Sequence, residues 1–558
     1  MLELPQNPSS DALPAPRRLT DQDNHAAAAA VGGGLIDPQR RCWLGVAEEG
    51  GQDRLVRVPL GGGPVQTIHT AADFCGYPAL SPSGTHLAWV EWQQPFMPWE
   101  RSQLWLGALD PKGLLTAARP ISGSDAGAAR GVSVFQPLWT DDGDLVVAND
   151  RSGWWNLERL VEAEQLGTGE LKGEERRELP WQPLLPMEAE FAMPQWVFGM
   201  RTCAWDGARL WALACRSGVW ELGAIDLNTE LNSSPEGRWA PLPLAFNDLA
   251  AVHAESGRLV ALAGSPLEGQ GLLELRTEEV NPTEPTIRHT AVAPSPLAAD
   301  AISTPEPIWF PGDQGQPTHA WFYPPLSGAS PRSPLLVKGH SGPTGMARTS
   351  LNLTTQFWTS RGWGVVDVNY GGSTGFGRTY RERLNGRWGV GDVHDCAAAA
   401  EALVALGRAD PERIAIEGSS AGGFTVLAAL CWTDVFRAGA CRYGVADPSA
   451  MAMDSHRFEA RYLDSLIGPW PEASDVYGER SPLQHAGRIR RPVILFQGTD
   501  DVVVPPEQTE RMALALQANG VPVEVHLFEG EGHGFRDRRV QIQVLEATEA
   551  FFRRHFRL

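Results

Sequence analysis

From about residue 300 onward, strand-like runs alternate with helical ones, and this alternation narrows the possible folds of the chain more than any other feature. PLLVKGH at 334–340, WGVVDVNY at 363–370, RIAIEG at 413–418 and PVILFQG at 492–498 read as strands. CAAAAEALVALG at 396–407, GGFTVLAALCW at 422–432 and QTERMALALQANG at 508–520 read as helices. Such a sequence predicts a mostly parallel sheet covered on both faces, with sites at the carboxyl ends of its strands. Function is therefore expected in the loops that leave those strands.

Upstream the texture differs. A chain of 558 residues exceeds what one hydrophobic core serves, so at least two domains are expected. Residues 1–34 combine Pro, Asn, Ser, an alanine run and three glycines, and read as a flexible tail. Residues 35–298 show short apolar stretches broken by polar turns, with almost no helical period. LAWVEW at 87–92, LVVAND at 145–150, LWALAC at 210–215 and LVALAG at 259–264 follow the turns SPSG at 81, TDDG at 140, WDG at 205 and ESG at 255. A weaker member starts near Asp37. Recurrence of turn then strand predicts four-stranded blades of a β-propeller, five to seven in number and complete or incomplete, with a β-sandwich as the alternative. Residues 299–558 then form the α/β domain.

Within that domain, Gly418-Ser419-Ser420-Ala421-Gly422-Gly423 lies between the strand RIAIEG and the helix after it. A nucleophile elbow turns so tightly that the residues two before and two after the serine must be small, and Gly418 and Gly422 meet that need around Ser420. The helix start offers the Ala421 N–H to a developing oxyanion. A second donor is expected in the loop His340-Ser341-Gly342-Pro343 after PLLVKG, which also reads as a plain turn. A serine hydroxyl needs a base, and in this fold the chain order is Ser, acid, His. His533, among glycines in Glu529-Gly530-Glu531-Gly532-His533-Gly534-Phe535, is the expected base; His526 and His555 read as structural. The acid is expected in Gly498-Thr499-Asp500-Asp501 after PVILFQG, where chemistry alone leaves Asp500 and Asp501 open.

Net charge is −20, with acidic residues spread along the chain, so nucleic acid is not an expected partner. Seven cysteines, odd in number and without a C-x-x-C pair, argue against a disulfide framework and a zinc site. No apolar run approaches the roughly 20 residues that span a bilayer, and polar residues and alanines follow Arg17 and Arg18 where a secretory leader would be apolar. The expectation is a cytoplasmic protein with no membrane partner.

With GSSAGG, QGTDDVVVP, EGEGHGF and HSGP in this order, and with NYGGSTGFGRTYRERLNGRWGVGDVHD at 369–395, the chain resembles the prolyl oligopeptidase family of serine peptidases, in its acylaminoacyl-peptidase and dipeptidyl-peptidase-like branch. The resemblance implies a propeller lid over an α/β-hydrolase domain and a Ser-Asp-His triad acting on short peptides. Its G-x-x-D pattern selects Asp501 over Asp500 and assigns Gly342 as the second oxyanion donor. It also implies that Val445, Phe458, Tyr462 and Val504 line the pocket for the residue before the scissile bond. No cofactor or metal is implied, and a homo-oligomer is compatible. Ser341 stands where the family has the first glycine of H-G-G-P. Family dipeptidyl peptidases hold a free α-amine with paired propeller glutamates; Glu188 and Glu190 form such a pair here, but an alternating pair in a loop reads as solvated surface. A carboxylesterase on the same triad and an inactive propeller scaffold are the alternatives.

Overall fold

The computed structural model describes residues 19–20, 30–125, 127–167, 179–227, 238–277, 287–291 and 295–558. Within these, five four-stranded antiparallel sheets succeed one another along the chain, each in simple meander order. Their first strands are Ala30–Asp37, Phe74–Leu80, Val134–Trp139, Cys203–Trp205 and Asp248–Glu255. The runs after the recurring turns fall in the second strands His86–Trp92, Leu145–Asn149, Leu210–Arg216 and Arg258–Gly264, with Cys42–Glu49 as the weaker first member. Burial on both faces explains these apolar runs: Leu87, Ala88, Trp89 and Val90 are all 0% exposed.

The first strands are the least regular. In four of the five sheets they carry a bulge, at Gly32/Leu35, Gly76/Ala79, Phe135/Leu138 and Ala250/His253. In each bulge one residue is left-handed: Gly33 (φ 59), Tyr77 (φ 55), Gln136 (φ 49) and Ala251 (φ 54). Gln136 uses this turn to bridge to the next blade, accepting the N–H of Thr202 at 2.7 Å and of Cys203 at 3.1 Å.

One expectation is corrected here. The strand Ala30–Asp37 begins inside the stretch 1–34 read as a flexible tail; residues 1–18 and 21–29 of that stretch lie outside the described residues. Its glycines are required by packing: a Cβ on Gly33 would stand 2.8 Å from the Phe198 ring, and one on Gly34 would stand 2.2 Å from that of Trp43. Composition that looks loose is here the space that two aromatic rings occupy.

The C-terminal region is built on one eight-stranded sheet. Its spatial order is Glu306–Pro311, Pro317–Tyr323, Gly364–Asn369, Leu335–Gly339, Ile414–Ser419, Ala438–Arg442, Val493–Gly498 and Val523–Phe528. The first two strands pair antiparallel and the last six are parallel. The helices Gly391–Ala405, Ala421–Trp432 and Pro506–Ala518 cover it, as the alternation predicts. Ala421–Trp432 is buried on all sides, the pattern of a helix enclosed by other elements.

Three blades each send a buried aspartate to arginines of the C-terminal half. Asp53 pairs with Arg457 at 2.7 Å, Asp150 with Arg378 at 2.6 Å and Arg381 at 2.5 Å, and Asp248 with Arg348. Three of the acidic residues therefore have a structural use at this seam. Among the described residues no helix is long and apolar enough to cross a membrane, and no cluster of His, Cys, Asp or Glu is arranged to hold a metal.

Candidate active site

Ser420 sits between the strand Ile414–Ser419 and the helix Ala421–Trp432 with φ 53 and ψ −118, a conformation that L-residues rarely adopt. The glycines around it have no alternative. A Cβ on Gly418 would stand 2.2 Å from the carbonyl oxygen of Gly422, and one on Gly422 would stand 2.3 Å from that of Gly339. The strained turn projects the hydroxyl clear of the sheet.

His533 Nε2 lies 3.0 Å from Ser420 Oγ, and His533 Nδ1 lies 2.8 Å from Asp501 Oδ2. Asp501 is 3% exposed. Its other oxygen accepts the N–H groups of Val503 and Val504, both at 2.9 Å, and Gln497 Nε2 approaches Oδ2 at 3.3 Å. Asp500 is exposed and accepts only the neighbouring Thr499 hydroxyl at 3.0 Å. Geometry thus separates the two carboxylates that chemistry alone left open.

The histidine loop is closed by Glu531, which accepts the N–H of Arg536 at 2.8 Å and of Asp537 at 2.9 Å. Gly498 lets the acid strand come up against it, because a Cβ there would lie 2.2 Å from the carbonyl oxygen of Glu531. Tyr443 stands over the imidazole with ring centroids 4.8 Å apart. His526 stacks on Phe496 and His555 packs on Phe551, in keeping with structural roles.

The loop His340–Thr344 lies against the elbow: the Ser341 hydroxyl donates to the carbonyl of Ser419 at 2.7 Å. Gly342 has φ 134, a value that favours glycine. Ala421 is the first residue of its helix, where an N–H has no intrahelical acceptor. Tyr370, which sequence reading did not single out, donates its hydroxyl to the carbonyl of His340 at 2.8 Å and stacks on the His340 ring. Asp392 supports the other half of the site. It accepts the Thr425 hydroxyl at 2.6 Å, one turn along from Ala421, and burial pushes its carboxyl up to about 6.

Val445 and Val504 are buried in the core beside these loops, at 4% and 1% exposure. Tyr462 shares a hydrogen bond of 2.5 Å with Thr344 Oγ1. Phe458 belongs to an aromatic group with Trp99, Trp196, Phe74 and Trp92. Trp99 and Trp196 come from the propeller and were not expected at the site. They lie in the segments SPSGTHLAWVEWQQPFMPWE and EAEFAMPQWVFG, through which the family resemblance extends, less specifically, into the first half.

The reading of Glu188 and Glu190 as solvated surface holds for Glu188, which is exposed, and fails for Glu190, which is 1% exposed. Glu190 is held by the N–H groups of Trp155 and Gly377 and faces Arg381 at 3.6 Å. Burial nevertheless pushes its carboxyl up to about 7.

Residues 349–558 match the sequence profile of the Prolyl oligopeptidase family. The chain is 32% identical over 225 residues to dipeptidyl aminopeptidase BIII of Pseudoxanthomonas mexicana, which is 39% of this chain and 32% of that protein. It is 32% identical over 208 residues to the acylamino-acid-releasing enzyme of Arabidopsis thaliana, 36% of this chain and 27% of that protein. These matches span about a third of the length of the curated relatives. Among solved structures, a puromycin hydrolase superposes with a TM-score of 0.86 at 35% identity, over 97% of this chain and 81% of that one. A Mycobacterium tuberculosis puromycin-hydrolyzing peptidase superposes with 0.87 at 36% identity, again over 97% and 81%.

Proposed function

The chain belongs to the prolyl oligopeptidase family, and from that premise we propose that it is a serine peptidase that cleaves short peptides near their amino end through an acyl-enzyme. The observation that carries this reading is the chain of hydrogen bonds from Ser420 Oγ to His533 Nε2 and from His533 Nδ1 to Asp501, at 3.0 and 2.8 Å.

In this mechanism Asp501 fixes the imidazole so that Nε2 faces the serine and is free to accept its proton. Ser420 Oγ attacks the carbonyl carbon, and the N–H groups of Ala421 and Gly342 hold the oxyanion. His533 returns the proton to the leaving amine, and water releases the acyl group by the same steps in reverse order. Val445, Phe458, Tyr462 and Val504 form the pocket for the residue whose carbonyl is attacked. None of these steps calls on a metal or cofactor.

The names of the similar proteins support both an amino-terminal dipeptide and an acylated amino acid as the group released, and those of the solved structures add puromycin as a probe. The seven free cysteines, all buried, support a reducing compartment and hence the cytoplasm.

The test is hydrolysis of alanine p-nitroanilides with a free and an acetylated amine, and of puromycin, by wild type and Ser420→Ala. Turnover of any of them that is lost in the variant supports the peptidase. Turnover of esters alone would replace it with a carboxylesterase, and no turnover with a binding scaffold.

A further inference from the structure

Between the mouth of the propeller and the C-terminal half lies a cavity of about 510 Å³. Six aromatic rings wall it: Phe74, Tyr77, Trp92, Trp196, Phe198 and Phe458. Phe458 meets Phe74 and Trp92 edge-on, with centroids 6.0 and 6.4 Å apart. Val31, Val197 and Phe198 also face this space and are 53%, 65% and 43% exposed. Grouped apolar surface left open in a recess marks a binding site.

A polar group in the wall points the same way. Gln195 is 4% exposed and lines the cavity. Its Nε2 donates to the carbonyl of Val134 at 2.9 Å, which sets the orientation of the amide, and its Oε1 has no hydrogen-bond partner. A buried acceptor without a donor is costly, and a ligand N–H relieves it.

One wall of the cavity touches the loop that lies against the elbow. Trp196 Nε1 donates to the carbonyl of Thr344 at 2.7 Å, two residues beyond Gly342. Phe458 is shared with the pocket for the residue before the scissile bond, whereas Val445, Tyr462 and Val504 of that pocket do not line the cavity. The recess therefore adjoins that pocket.

We propose that this cavity is a second specificity subsite, which takes an aromatic side chain on the residue preceding the one whose carbonyl is attacked, with Gln195 Oε1 accepting an N–H of the same substrate. The proposal rests on the peptidase reading above. Six rings offer edge-to-face and stacked contacts to an aromatic group, and the volume exceeds what alanine or valine would fill.

The experiment compares kcat/KM for Phe-Ala-p-nitroanilide and Ala-Ala-p-nitroanilide in wild type and in Phe198→Ala. Wild type is expected to favour the first by about tenfold or more, and the variant to lose most of that ratio. A misfolded fraction scales both rates alike, so the ratio reports the folded enzyme. An unchanged ratio in the variant, or a preference that follows phenylalanine at the position next to the scissile bond, overturns the proposal.

Binding of Phe-Ala-amide to Ser420→Ala, followed by tryptophan fluorescence because Trp92 and Trp196 line the cavity, separates the two readings. Binding lost with Phe198→Ala but no turnover by wild type would sink the peptidase and keep the subsite. Neither binding nor turnover would remove both.

Discussion

The carboxylate of Glu190, on the propeller, accepts the backbone N–H of Gly377 from the C-terminal half at 3.1 Å, while its other oxygen accepts that of Trp155 at 2.8 Å. One side chain thus ties two domains together without being exposed to water. Its pKa is raised to about 7 mainly by burial, which outweighs the nearby Arg381 and both amides; Asp150 pushes in the same direction. The folded chain therefore keeps a proton on Glu190 that the unfolded chain has lost. The resulting stabilisation is complete below about pH 4.5 and disappears as pH rises through 7. A Glu190→Gln variant, which cannot ionise, should gain on wild type over that window by up to about 3 kcal/mol. Thermal melts of both proteins at pH 5 and pH 8 check this, and a difference that does not change with pH would contradict it.

Asp501 and Asp500 are adjacent in sequence but differ in every relevant contact. Asp501 is buried against His533, and Asp500 points to solvent. Asp501→Asn should lower kcat on any substrate the enzyme turns over by about 10⁴, by presenting the wrong imidazole tautomer to the serine. Asp500→Asn should stay within a few-fold of wild type. Steady-state kinetics of the two variants decide the assignment, and equal losses would reopen it.

The C-terminal half was legible because its signals are local. Strand, tight turn and helix around Ser420 are written in consecutive residues, and so are the glycines that let the His533 loop approach. The second strands of the propeller sheets were legible for the same reason, each following its own turn. Their first strands were not, because the left-handed residues Gly33, Tyr77, Gln136 and Ala251 break the alternation that marks a strand. Glu190 was misread since its partners are 35 and 187 residues away, and no local pattern encodes them. The aromatic wall of Trp99 and Trp196 was hidden likewise, being assembled only when two domains meet.

Gly422→Ala tests the elbow without touching a catalytic group. The added methyl would stand 2.3 Å from the carbonyl oxygen of Gly339 and 3.2 Å from that of His340. Backbone must shift on both sides, and overpacking of this kind costs about 1 to 3 kcal/mol. Since the displaced strand end leads into the loop His340–Thr344, labelling of Ser420 by a fluorophosphonate should slow by more than the loss of stability accounts for. Labelling at the wild-type rate would show that the loop absorbs the change.

Asp150 is the counter-charge shared by two buried guanidiniums, Arg378 at 2.6 Å and Arg381 at 2.5 Å, and is itself 0% exposed; Arg378 also pairs with Glu382 at 2.6 Å, and Arg381 faces Glu190 at 3.6 Å. Breaking a buried pair from one side leaves an uncompensated charge, at about 3 to 5 kcal/mol. Asp150→Ala removes the carboxylate that both arginines share and leaves them only Glu382 and Glu190, so it should destabilise the protein by an amount within that range. Arg381→Met leaves Asp150 paired with Arg378 and fills much of the same volume, so it should cost less. Both arginines also hold propeller carbonyls, Arg378 that of Glu100 and Arg381 that of Trp99, and Trp99 packs on Tyr462 at the site. Loss of Asp150 should therefore raise KM as well as lower the unfolding midpoint in urea, because the propeller wall moves away from the loop His340–Thr344. A lowered midpoint with unchanged KM would confine the bridge to stability.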